Sequence, residues 1–123
     1  MDNKNGVEKI KLTNGETLEI HDRSRMVIEN IWQISLVFII NIDLKQKKFN
    51  ELKNITDEQI KDKFGNTIIY EVKHERNFIK DEQKNDTYNK IKDSFLNTNL
   101  KYLSHPDFAV KYSIKKYNEK KRY

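Results

Sequence analysis

His74 and Arg76 stand two residues apart on a segment whose side chains alternate, so both share the face that Ile68, Tyr70 and Val72 make apolar. A cation turned toward a core must be paired or must line a wet cavity. The chemistry expected of this pair is capture of a carboxylate or other small anion in a pocket at the sheet end. The plainer alternative is that the strand leaves the core there and both side chains reach water. Arg23 and Arg25, in Asp22-Arg23-Ser24-Arg25, form a second candidate. Two guanidinium groups near loop amides can grip a phosphate, although Asp22 and Ser24 equally suit a turn.

The C-terminal stretch offers a third chemistry. Lys115, Lys116, Lys120, Lys121 and Arg122 are interleaved with Tyr112, Tyr117 and Tyr123. Basic residues among aromatics are what single-stranded nucleic-acid binders use. The same stretch also reads as an amphipathic helix, with Val110, Ile114 and Tyr117 on one face and lysines suited to the negative end of the dipole. His105-Pro106-Asp107 reads as a helix entry rather than an acid–base couple.

Other chemistries lack their residues. There is no cysteine, which excludes disulfides and thiolate metal sites. His21, His74 and His105 are scattered, and glycines at 6, 15 and 65 make no phosphate-cradling loop. Neither a His-Glu-x-x-His nor a Gly-x-Ser-x-Gly motif occurs. No catalytic residue, metal or cofactor is assigned, and a non-enzymatic protein is favoured.

These residues need elements to position them. Val7–Thr13 and Thr17–Asp22 flank Asn14-Gly15, a hairpin signal. Pairing Leu12 with Leu18 and Ile10 with Ile20 matches apolar partners, which predicts a three-residue or bulged turn around Asn14–Glu16. His21–Met26 reads as a polar connection. Ile28–Leu44 alternates as one long strand, long enough that a bend or bulge is expected. Phe49 and Leu52 anchor a turn or helix start. Asp57–Phe64 reads as a helix, with Thr56 and Gln59 as capping box, Ile55 and Ile60 as staple and Gly65 at its end. Asn66–Lys80 is a second long strand with His74, Arg76 and Phe78 on its apolar side, antiparallel to the first. Tyr88, Ile91, Phe95 and Leu96 mark a helix ending near Asn97–Asn99. Ser104, with Asp107 and Pro106, caps a last one.

The expected fold is α+β: an antiparallel sheet of a short hairpin plus two long strands, with two or three helices packed on one face, mainly C-terminal. At 123 residues the chain reads as one domain, 1–123, with a basic tail at 111–123. The tail holds six basic side chains against one acidic and carries the whole net charge of +5. The first 110 residues balance at 18 of each sign, so only the tail attracts polyanions in bulk. Asn30, Gln33, Ser35, Asn41 and Asp43 interrupt the Ile28–Leu44 run, so it is no membrane span. The N-terminus lacks the apolar run of a signal peptide, and a cytoplasmic location is expected.

Tyr102-Leu103-Ser104-His105-Pro106-Asp107-Phe108-Ala109, with Leu12-Thr13-Asn14-Gly15 and Asp22-Arg23-Ser24-Arg25 upstream of Trp32, resembles a family of small bacterial conserved hypothetical proteins. The resemblance implies a free-standing cytoplasmic protein and transfers no catalytic or binding residue. Three functions are expected, in order. The first is a non-enzymatic interaction protein or homodimer, because Ile31, Val37 and Ile39 on the minor strand face need cover. The second is nucleic-acid binding through the basic helix. The third is a small anionic-ligand binder or enzyme using His74 and Arg76.

Overall fold

The computed structural model describes residues 6–44 and 57–121. Among these the chain forms strands β1 (Val7–Lys11), β2 (Thr17–Asp22), β3 (Arg25–Ile28), β4 (Ile31–Asp43) and β5 (Thr67–Lys80). The helices are α1 (Asp57–Phe64), α2 (Lys84–Ser104) and α3 (Phe108–Lys121). The class is α+β, with one antiparallel sheet and helices mostly C-terminal. β4 is its spine: β2 and β3 follow one another along one edge, β5 runs along the other, and β1 pairs with β2.

The period-two pattern builds the core directly. Ile34, Leu36, Phe38, Ile40 and Ile42 of β4 are at most 2% exposed and face the helices. Leu18 and Ile20 of β2 and Ile68 and Tyr70 of β5 extend this layer; Ile91, Phe95, Leu103 and Phe108 cover it. Phe38 and Phe95 stack at 3.7 Å between ring centroids, inclined by 10°. Burying each such side chain contributes about 1.5–3 kcal/mol. On the opposite face Val37 is only 1% exposed, while Ile31 and Ile39 are half-buried. Val37 lies in register between His21 and Lys73 and is already covered within the single chain. Its cover therefore requires neither a helix nor a second subunit.

The first hairpin differs from expectation in register. Ile10 lies opposite Leu18 and Glu8 opposite Ile20, while Leu12 N–H donates to the Glu16 carbonyl at 2.8 Å. The loop is Thr13-Asn14-Gly15. Both registers keep the even-numbered side chains on one face, so burial cannot choose between them. The left-handed Gly15, at φ 94°, decides, as a three-residue hairpin loop requires.

The expected strand from Ile28 is interrupted. Asn30 takes φ 64°, so Glu29-Asn30 turns the chain and Arg25–Ile28 folds back as β3. What reads as a polar connection at Arg25-Met26 is thus part of a strand. A bulge lies in β5: Trp32 pairs with Ile79 but Ile34 with Arg76, leaving Asn77-Phe78 opposite Gln33. The extra residue swaps the faces beyond it. Ile79 packs against the core, and Phe78, expected there, is 84% exposed.

α1 matches its expected bounds, and Gly65 follows at φ 77°. Its capping residues Thr56 and Ile55, like Phe49 and Leu52, lie outside the described residues, as does the Ile60 side chain. α2 does not end near Asn97–Asn99; it runs to Ser104, and Asn99 donates its side-chain amide to the Phe95 carbonyl. Ser104 therefore ends α2 rather than capping α3. Pro106 holds His105 in extended geometry, at ψ 139°, which breaks the helix there. His105 Nδ1, not Ser104, accepts from the Asp107 N–H at 3.0 Å.

Candidate functional site

β5 carries His74 and Arg76 on the helix-side face, opposite Leu36 and Ile34 of β4. α2 runs back over the sheet from the end of β5, placing Phe95 against Phe38. The His74 ring meets both Phe38 and Phe95 edge-on, each at 6.0 Å between centroids. Such packing fixes the imidazole plane. Arg76 lies beyond the apolar layer, exposed, with Nη1 donating to the Glu75 carbonyl at 2.8 Å. Among the described residues no carboxylate forms an ion pair with it.

The two basic groups open on a cleft of about 140 Å³, completed by Ser94, Thr98 and Asn99 of α2 over Phe95. Its polar groups are a guanidinium, an imidazole, two hydroxyls and a carboxamide. A planar guanidinium beside hydroxyl donors is suited to an oxyanion, which it can hold through charge-assisted hydrogen bonds. The pocket and the water-reached strand end, opposed as alternatives on sequence grounds, occur together here.

The other candidates do not join this site. Arg25 lies on the opposite face, in register with Gln33, and donates its Nε–H to the Gln33 Oε1 at 3.3 Å. Arg23 is exposed, and its backbone N–H donates to the Ser35 carbonyl. Asp22 Oδ1 accepts from the Ser24 N–H, and Ser24 Oγ accepts from the Ser35 N–H, both at 3.0 Å. This segment is built as a turn against β4.

The basic C-terminal stretch is part of α3 through Lys121, not a free tail. Of its interleaved aromatics, Tyr112 and Tyr117 face inward, and Tyr123 lies outside the described residues. Tyr112 is buried against Tyr70 and Phe108, and half-buried Tyr117 lies beneath Lys63 Nζ, 5.5 Å from its ring centroid. Lys115 is exposed. Lys116 pairs with Glu119 at 3.4 Å and sits over Tyr112. The side chains of Lys120 and Lys121, and all of Arg122, lie outside the described residues.

A larger cleft of about 460 Å³ lies between α2 and α3, outside the sites expected from the sequence. Thr98 lines both clefts. Lys101, Tyr102, His105 and Lys111 surround the larger one, with Phe108 as its floor. The signal was available: Ser94, Thr98, Lys101, Tyr102 and His105 recur at helical spacing. Ending the helix at Asn97–Asn99 hid that face. Among the described residues, neither cleft is lined by a carboxylate, and no group of three or more His, Asp or Glu side chains is placed to hold a metal ion. None of the described helices is long and apolar enough to cross a membrane.

Fold and site together describe an α+β domain with a basic, hydroxyl-lined cleft on its helix side. No protein-family model, curated protein or solved structure matches this chain.

Proposed function

We propose that this chain is a non-enzymatic binding module whose cleft between β5 and α2 captures an anionic ligand. The observation that carries the reading is the convergence of His74 and Arg76 with the hydroxyls of Ser94 and Thr98, with no carboxylate lining the cleft. What favours binding over catalysis is the setting of His74. Apolar edge contacts with two phenylalanines hold it, rather than the base–nucleophile hydrogen bond that activated nucleophiles use.

The test is titration of the isotope-labelled protein with inorganic pyrophosphate and with citrate, followed by amide shifts. Saturable shifts confined to the amides around Ser94–Asn99 and His74–Arg76 are expected. Arg76→Gln should weaken binding roughly tenfold, the loss of one charged hydrogen bond. Absence of saturation at millimolar anion would overturn the reading.

A second reading, association with another copy of this chain, has its own support. All four β3 residues are exposed, with Met26, Val27 and Ile28 among them, and no described strand pairs with its outer edge. Exposed strand edges invite pairing with another chain. Sedimentation should show a concentration-dependent dimer that Val27→Lys abolishes; a monomer throughout would remove this reading.

A further inference from the structure

The helix-side surface continues past Thr98 into the cleft between α2 and α3. At about 460 Å³ this cleft falls within the usual size of small-molecule sites. Tyr102 and Phe108 meet edge-on there, with centroids 5.2 Å apart and planes at 84°. Phe108 is fully buried, yet Tyr102 remains 47% exposed. The tyrosine ring is thus held by a neighbour on one side and left open on another. Lys101, His105 and Lys111 stand around it.

We propose that the α2–α3 cleft takes a nucleoside phosphate, with the base stacked on Tyr102 and the phosphate held by Lys101 and Lys111. The inference rests on the anion-binding reading above, because the two clefts meet at Thr98. It adds the chemistry of the ligand: an aromatic ring attached to the anion. A base needs an exposed π surface, and Tyr102 is the aromatic group lining either cleft that has one. A phosphate needs unopposed cations, and the lysines here face no carboxylate across the cleft. Lysines bind phosphate as point charges and impose no strict geometry, which suits a surface cleft. A free nucleotide and a single-stranded nucleic acid share this chemistry, and their affinities separate them.

The experiment compares adenosine monophosphate, ribose 5-phosphate and inorganic phosphate on the full chain, again by amide shifts. Adenosine monophosphate should bind at least about fivefold tighter than ribose 5-phosphate, the lower end of one base–aromatic stack. Its shifts should centre on residues 98–111. Tyr102→Leu should erase that preference while leaving ribose 5-phosphate binding unchanged, and Lys101→Gln with Lys111→Gln should weaken both ligands. A short thymidylate strand that binds tighter than the mononucleotide assigns the site to single-stranded nucleic acid; a weaker one assigns it to free nucleotides. Equal affinity for adenosine monophosphate and ribose 5-phosphate in the unmodified protein overturns this inference and leaves the anion reading standing. If none of the three, nor pyrophosphate or citrate, produces a saturable shift, both fall.

Discussion

Asn14 and Leu103 are joined across 89 residues of chain: the Asn14 side-chain amide donates to the Leu103 carbonyl at 2.8 Å. The same amide donates to the His105 carbonyl at 2.9 Å, and its oxygen accepts from the Glu16 N–H at 3.0 Å. One side chain therefore shapes the first hairpin turn and ties it to the corner between α2 and α3. That corner sets the angle at which Lys101 and His105 face Lys111.

Asn14→Ala should destabilise the protein by about 2 kcal/mol, from three neutral hydrogen bonds of modest net worth, with the Leu103 carbonyl losing the Asn14 amide while the His105 carbonyl keeps the Phe108 N–H. Asn14→Asp should cost more. It keeps the acceptor for Glu16 but turns a charged oxygen toward two carbonyls. Urea unfolding should show a lowered midpoint with an unchanged slope. An alanine variant as stable as the parent would mean that the corner is held without this clamp.

Phe78 is strained for a reason that substitution can expose. It takes φ 59° in the β5 bulge while its side chain is 84% exposed. A left-handed backbone costs an ordinary L-residue about 1–2 kcal/mol, and asparagine tolerates it far better. Phe78→Asn should therefore raise stability by about 0.5–1 kcal/mol, because strain is relieved and little burial is lost. Thermal melting checks the sign. A lower melting temperature would show that the Phe78 ring makes stabilising contacts despite its exposure.

What was readable in the sequence, and what was not, divides along physical lines. The pairing of β4 with β5 follows from two runs of period two, because a buried face imposes its pattern on every second residue. α1 was bounded correctly where a glycine supplies a left-handed terminus. The hairpin register was not readable from burial, since a shift of two residues preserves the faces. The alternation puts Phe78 on the wrong face because a bulge adds a residue without marking hydropathy. α2 was cut short because Asn97 and Asn99 resemble terminators, whereas Asn99 satisfies its amide against the preceding turn. At the site, His74 and Arg76 were found together because they share a strand. Ser94 and Thr98 share a face by their helical spacing, but only the path of α2 over the sheet brings that face to His74 and Arg76.

The buried tyrosines give the fold a stability limit in base. Tyr70 is pushed up to about 12, first by burial and then by the neighbouring Tyr102 and Tyr112 hydroxyls. Tyr88 is also pushed up to about 12, again first by burial, then by Glu8 and Asp22, with its hydroxyl 3.4 Å from the Glu8 Oε1. A raised value means that the folded state holds the proton more tightly than the unfolded chain. Below about pH 10, the ordinary tyrosine value, both states are protonated and the contribution is fully present. As pH rises from about 10 toward 12 the unfolded chain ionises first, so stability falls through that window. Urea midpoints should therefore decline over this range, and the phenolate absorbance of the folded protein should lag behind that of the unfolded chain. Tyr88→Phe tests this directly, because it removes one of the two raised phenols. That variant should lose less stability than the parent between pH 10 and 12. An equal loss in both would show that Tyr88 takes no part in the decline and would place its hydroxyl in water.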